Sequence, residues 1–248
     1  MNSKTQNTEY LTMCGRFTLG KQTDEIIDYF ESHFNYSIGA NTIDKFAFKF
    51  NIPPGTDILS LHYNNENQLQ CHPIRWGLVP SWSKGIDNRF SMNNARSDTI
   101  TSKPAFRTPF KQQRCLIITD GFYEWHNEAN AKQPYYISRK DQSLFTFAGV
   151  WDQWISPDQS NSIQSCSIIT TEASAFMTKI HSRMPVIISR EHQLDWLAPR
   201  QSSAHLELME SLLAQSDYSV MHSYAVSKTV NSPKNDSPEL VNKIKISN

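Results

Sequence analysis

Gln113-Arg114-Cys115-Leu116-Ile117-Ile118-Thr119-Asp120-Gly121-Phe122-Tyr123-Glu124-Trp125 decides the fold class. The run is apolar and rich in β-branched and aromatic residues, as a buried strand is. Asp120-Gly121 interrupts it once, and that pair bends or bulges a strand. Strand signals continue on both sides. Ile58 to Tyr63 and Leu69 to Leu78 read as two strands joined by the polar turn Asn64 to Gln68. Downstream, Asn127 to Pro134 reads as a polar connector, and Tyr135 to Ser138 with Leu144 to Trp154 as a hairpin around Asp141-Gln142. Ser165 to Thr171 and Met184 to Ser189 read as short strands flanking a helix near Ala173 to Ile180, and Tyr218 to Val226 as a late strand.

Helical spacing is confined to a few places. Ile26, Ile27, Tyr29, Phe30 and Phe34 fall on one face of a helix over Thr23 to Phe34, capped by Thr23 or Asp24. Glu191 to Leu197 and Ala204 to Leu213 also read as helices. Phe50 to Thr56 reads as a rigid loop with two prolines and a glycine, Pro80 to Asn93 and Ser156 to Ser162 as loops, and the end from Ser227 as Ser-, Pro- and Asn-rich. Many short strands with a few separate helices predict an α+β single domain with a curved antiparallel, barrel-like β core and peripheral helices.

The chain has 248 residues and a formal net charge of zero, so any nucleic-acid contact must come from a local patch. Cys14, Cys71, Cys115 and Cys166 form no closely spaced pair, which disfavours a zinc or redox site. No cofactor and no metal are expected. No stretch has the length of a membrane span and no secretory signal is visible, so a cytoplasmic protein without a membrane partner is the expectation. A monomer with no obligate protein partner is expected as well. Met1 to Thr12 are polar and patternless. The expected division is a leader or mis-assigned start over residues 1–13, absent from the mature protein, a domain over 14–241 and a tail over 242–248.

Several residues can carry chemistry. If residues through Met13 are absent, Cys14 becomes an amino-terminal 1,2-aminothiol, which attacks an aldehyde first with its amine and then with its thiolate. Glu124 stands among aromatics, a drying environment suited to a general acid/base. Alternation places Phe122 and Glu124 on one face and Tyr123 and Trp125 on the other. His181 lies at an element boundary in Ile180-His181-Ser182-Arg183-Met184-Pro185, and Asn94 and Arg96 in Met92-Asn93-Asn94-Ala95-Arg96 offer an amide and a guanidinium. Trp76 and Trp82 bracket Pro80, and an exposed Trp there can stack on a base. Each has a plainer reading: a small buried cysteine, a solvent-facing glutamate, a turn histidine, a surface arginine, core tryptophans.

The order of these motifs is more specific than any one of them. Cys-Gly-Arg-Phe at 14–17 is followed by Asn-Ile-Pro-Pro-Gly-Thr at 51–56, Arg-Trp-Gly-Leu-Val-Pro-Ser-Trp at 75–82 and Asn-Ala-Arg at 94–96. Asp-Gly-Phe-Tyr-Glu-Trp at 120–125 and Ile-His-Ser-Arg-Met-Pro at 180–185 complete the series. The chain resembles the SRAP family, the SOS response-associated peptidases, also known as abasic-site processing proteins, from Met13 to about Val241. The resemblance implies an α+β fold with a barrel-like sheet and a groove for single-stranded DNA. It implies a covalent thiazolidine crosslink between the amino-terminal cysteine and the ring-opened aldehyde of an abasic site, shielding the lesion. By motif, Cys14 is then the nucleophile and Asn94 holds its amine and the opened sugar. Glu124 is the acid/base for ring opening and proton transfer, and His181 assists at the sugar oxygen. Arg16, Arg96 and Arg183 become candidates for phosphate contacts, and Pro54 and Trp82 for wedging and stacking. Two other readings stay open. Cys14 can attack a peptide carbonyl, with His181 or Glu124 as base, and release its own leader as a peptidase, which would make the class hydrolase rather than lyase. A non-catalytic single-strand binding module would use the aromatics and arginines alone.

Overall fold

The computed structural model describes residues 15–85, 92–128, 131–199, 202–216 and 218–246. In chain order its strands are β1 (Phe17–Leu19), β2 (Lys49–Ile52), β3 (Asp57–Tyr63), β4 (Leu69–Trp76), β5 (Asn94–Arg96) and β6 (Arg114–Thr119). They continue with β7 (Gly121–Glu128), β8 (Ala131–Arg139), β9 (Phe145–Ile155), β10 (Ser162–Glu172), β11 (Arg183–Pro185) and β12 (Met221–Ala225). The helices are α1 (Thr23–Phe34), α2 (Ala40–Ile43), α3 (Arg107–Gln112), α4 (Gln193–Leu197) and α5 (Ser203–Leu212).

The strands form two layers. Strands β10, β4, β3, β6 and β9 pair in that order, and β9 returns to β10, so the sheet closes into a barrel. Its pairs are antiparallel except β4 with β10, where Arg75 lies opposite Ser165 and Trp76 opposite Cys166. Closure leaves few unpaired edges for other chains to add to. Two short strands extend β10: β5 runs parallel to it and β11 antiparallel. The second sheet has the order β12-β8-β7-β1-β2. The layers meet at aromatic edges. Phe17 of β1 packs on Trp76 at 5.2 Å between ring centroids, and Phe122 of β7 on Phe147 at 5.6 Å. All four rings are buried.

Helix α1 folds where its spacing predicts, burying Ile26, Phe30 and Phe34. Its cap is Gln22 rather than Thr23 or Asp24: the Gln22 N–H donates to Glu25 Oε2 at 3.1 Å, closing the first turn. Arg114 supports α3 and α4 from below. It is buried, and its guanidinium donates to the carbonyls of Phe110 at 2.8 Å, Lys111 at 2.9 Å and Trp196 at 2.7 Å. A helix leaves its last carbonyls without partners, so a buried cation there replaces water.

The α+β architecture and the barrel-like core are as the sequence predicts, with several further local differences. The polar segment Asn127 to Pro134 extends two paired strands rather than only connecting them: β7 and β8 remain in register to Glu128 opposite Ala131. Strands β8 and β9 form no hairpin. Asp141-Gln142 does turn the chain, but β8 joins the second sheet and β9 the barrel. The expected helix near Ala173 to Ile180 is only a 3-10 turn, Met177–Lys179. Phe50 to Ile52, expected as loop, end β2, and the proline turn begins at Pro53.

Candidate active site

Glu124 stands on β7, two residues after Phe122, so both side chains point to the barrel side of the strand. There Glu124 is only 2 % exposed. The solvent-facing reading is therefore excluded: the alternation is as expected, but the face is covered. Its neighbours Tyr123 and Trp125 use the other face, where Tyr123 Oη donates to the Phe50 carbonyl at 2.8 Å and Trp125 Nε1 to Asn231 Oδ1 at 2.8 Å.

Strand β1 brings the start of the described chain to this glutamate. Phe17 lies opposite Phe122 and Thr18 opposite Gly121, and the Tyr123 N–H donates to the Arg16 carbonyl at 2.9 Å. Continued one residue beyond the Arg16–Tyr123 bond, the same antiparallel register sets Gly15 across from Glu124. Cys14 lies outside the described residues, and Gly15 is the residue to which it is bonded. Asp120 fixes the register from the far end. Its carboxylate accepts from Thr18 Oγ1 at 2.5 Å and from the Gly20 N–H at 3.0 Å. Burial raises the Asp120 carboxyl above the usual carboxylate range. Arg16 is half-buried, and Nη1 donates to Asn51 Oδ1 at 2.6 Å and to the Val230 carbonyl at 3.0 Å.

A second group of residues gathers around the carboxyl-terminal half of β10. Asn94 lies opposite Ile168 and Arg96 opposite Thr170. On the other side of β10, Arg183 lies opposite Glu172, and its Nη2 donates to the Thr170 carbonyl at 2.7 Å and to Thr170 Oγ1 at 3.0 Å. Arg96 and Arg183 thus lie on the two short strands that extend β10 on either side. Burial pushes the Arg183 guanidinium down, and the positive charge of Arg96 pushes it further. The carboxylates of Asp98 and Glu172 act in the opposite sense on Arg183. Arg96 is exposed and pairs with Asp98 at 2.5 Å. His181 precedes Arg183, and its Nδ1 accepts the Arg183 N–H at 3.1 Å. That bond leaves the neutral ring its proton on Nε2. Burial, reinforced by the Arg183 charge, holds His181 below the ordinary imidazole range.

A short chain of contacts links the two groups. Phe17 follows Arg16 and packs on Trp76, whose Nε1 donates to the Asn93 carbonyl at 2.9 Å, one residue before Asn94. The same Trp76 carbonyl accepts the Gly55 N–H at 2.7 Å, seating the half-buried Pro54 turn. Gly55 has φ +87°, a conformation open to glycine at little cost. Trp82 is 64 % exposed, whereas Trp76 is buried. Its loop is held firmly: the Ser81 N–H donates to Asp152 Oδ2 at 2.8 Å, and Trp154 Nε1 to the Ser83 carbonyl at 2.9 Å. An exposed indole offers a face on which a base can stack.

Sequence reasoning gave no role to Asn51. It is buried, and besides accepting from Arg16 it donates through Nδ2 to the carbonyls of Ser232 at 3.0 Å and Asn235 at 2.6 Å. Its partners lie far away in sequence, so no local pattern marks it. The described cysteines Cys71, Cys115 and Cys166 are free thiols and all buried. Among the described residues no cluster of three or more His, Cys, Asp or Glu could hold a metal ion, and no helix is long and apolar enough to cross a membrane.

The family model for the SOS response associated peptidase, SRAP, matches residues 13–233. The chain belongs to the SRAP family. Within it, the chain is 41 % identical over 230 residues to the abasic site processing protein YoaM of Bacillus subtilis, covering 92 % of this chain and 97 % of that one. The abasic site processing protein HMCES of Xenopus tropicalis is 31 % identical over 225 residues, covering 79 % of this chain and 66 % of that one. A crystal structure of a protein from Bacteroides thetaiotaomicron superposes with a TM-score of 0.76 at 26 % identity, covering 94 % of this chain and all of that one.

Proposed function

We propose that this SRAP protein binds single-stranded DNA at an abasic site and crosslinks to it through Cys14, shielding the lesion during the response to DNA damage. The observation that carries this reading is the pairing of β1 with β7, which sets Gly15, the neighbour of Cys14, across from the buried Glu124. The curated relatives named abasic site processing proteins supply the substrate class.

The chemistry follows from an amino-terminal aminothiol. The abasic sugar rests mainly as a closed hemiacetal, and opening it moves a proton between two sugar oxygens. Glu124, in a dry setting, serves as the acid/base for that step. The free amine of Cys14 then adds to the aldehyde carbon, the aldehyde oxygen leaves as water, and an imine forms. The Cys14 thiolate adds to the imine carbon and closes the five-membered thiazolidine. Asn94 orients the amine and the opened sugar, and neutral His181, with a proton on Nε2, donates toward the sugar oxygen. Arg96 and Arg183 take the phosphates, and Pro54 and Trp82 wedge and stack against the neighbouring bases. The amine must be free, so residues 1–13 are absent from the active form. Cys14 is also the sole cysteine in the sequence other than the three buried thiols.

The test is direct. Protein whose amino terminus is Cys14 is mixed with a single-stranded oligonucleotide bearing one abasic site, and a heat-stable adduct is expected by gel and by mass. Cys14→Ala abolishes it, and a chain retaining Met1 gives none. An undiminished adduct with Cys14→Ala would overturn the assignment. Intact mass of the expressed chain with and without Glu124→Gln also separates this reading from a self-cleaving peptidase, which would lose residues 1–13 only when the acid/base is intact.

A further inference from the structure

Strand β7, which carries Glu124, and Arg16, which leads into β1, are both tied to one short segment near the end of the chain. The 3-10 turn Lys228–Asn231 contributes two consecutive residues. The Val230 carbonyl accepts from Arg16 Nη1 at 3.0 Å, two residues after Cys14. Asn231 Oδ1 accepts from Trp125 Nε1 at 2.8 Å, one residue after Glu124. Asn51 is the hub beneath them. Its Oδ1 accepts from the same Arg16 Nη1 at 2.6 Å, while its Nδ2 faces three carbonyls of the segment, at Val230 (3.3 Å), Ser232 (3.0 Å) and Asn235 (2.6 Å). Val230 is buried beside Tyr123, Tyr136 and Leu240, which anchors the turn to the outer face of β7.

We propose that the Lys228–Asn231 turn and Asn51 are positioning elements for the crosslinking reaction, acting through Arg16 and Trp125 to hold Gly15 in register with Glu124. Strand β1 has three residues and its pairing with β2 shifts register between Phe17 and Leu19, so its own ladder is short. A one-residue slip in a strand turns every side chain to the opposite face. In this chain that slip would move Gly15 out of register with Glu124. The turn opposes the slip from the outer face of the sheet, and Asp120 opposes it from the other end of β1. Arg16 is accordingly a strut: Nε and Nη1 are both engaged with protein carbonyl or amide oxygens.

The inference rests on the crosslinking reading for its kinetic consequence, but its structural part can be tested alone. Two variants are compared, Asn231→Ala, which removes the acceptor for Trp125, and Asn231→Asp, which keeps an oxygen there. Single-turnover adduct formation with abasic oligonucleotide is followed against DNA concentration. Asn231→Ala is expected to lower the maximal rate at least tenfold with the half-saturating DNA concentration within twofold of wild type, and Asn231→Asp to restore the rate. Amide exchange of the Tyr123 N–H, which bonds the Arg16 carbonyl, is measured on the same proteins without DNA. It is expected to quicken at least tenfold in Asn231→Ala and in Asn51→Ala. If Asn51→Ala does not fold, the Asn231 pair carries the test. Unchanged exchange together with an unchanged maximal rate overturns the positioning role. If wild-type protein gives no adduct, the crosslinking reading fails, and the exchange result alone decides whether the turn holds the register.

Discussion

The Tyr123 N–H donates to the Arg16 carbonyl at 2.9 Å, and this one bond sets the residue beside Cys14 across from Glu124. The first prediction follows from that pairing. Glu124→Gln keeps the shape and removes the proton-transfer capacity. Adduct formation should slow by about 10²- to 10⁴-fold, the usual worth of a positioned general acid/base. A rate within threefold of wild type would remove Glu124 from the mechanism.

Trp82 is the second target. It is 64 % exposed on a loop pinned by Asp152 and Trp154, so Trp82→Ala should leave the stability unaltered. Binding of single-stranded DNA should weaken by about 1–3 kcal/mol, roughly 5- to 150-fold, if the indole stacks on a base. Fluorescence anisotropy with a labelled oligonucleotide reads this directly, and equal affinity would leave the exposed indole without that role.

His62 gives a pH prediction with a definite sign. It is buried on β3 with its ring 4.7 Å from Trp151, and burial, aided by the charge of His72, lowers it to about 4. The unfolded chain therefore binds the proton more readily than the folded one between about pH 6.5 and pH 4. The stability His62 contributes is complete above its unfolded value and is lost as the pH falls through that window, by about 3 kcal/mol. Urea unfolding of wild type and His62→Gln should diverge in slope across this range, wild type losing more. Parallel pH profiles would show that His62 is not the source.

Gly121 follows Asp120 at the head of β7. A Cβ there would run into the Tyr136 ring and hydroxyl, which are buried behind the strand. Gly121→Ala should destabilise by about 1–3 kcal/mol through overpacking. Because Gly121 lies opposite Thr18, the same variant should also slow the adduct reaction. A fully stable variant would mean that Tyr136 can move aside.

Much of the fold was legible because local patterns and tertiary structure agreed. Ile26, Phe30 and Phe34 mark one face of α1, and the run on either side of Asp120-Gly121 marks β6 and β7. The misreadings arose where local signals are silent about partners. Asp141-Gln142 turns the chain as its residues predict, but nothing near it says that β8 and β9 enter different sheets. Lys132 and Gln133 look like connector residues and are strand only because Asn127 and His126 pair with them. In the candidate site, Asn94, Glu124 and His181 were singled out from their motifs alone. The burial of Glu124 was not, because alternation fixes which residues share a face without saying what covers it. Asn51 was illegible for a similar reason: its bonds reach Arg16 and the segment after Val230.

The parallel pairing of β4 with β10 closes the barrel, and it has a consequence for how the protein comes into being. During synthesis β4 emerges long before β10, and until Ser162–Glu172 arrive both β4 and β9 present open edges. The same late strand is the pairing partner of β5, which carries Asn94, and of β11, which begins with Arg183. A nascent chain therefore brings the strands of Asn94 and Arg183 together only when the barrel shuts. On the proposed reaction, whatever Asn94 and Arg183 contribute is therefore acquired last, when β10 closes the sheet.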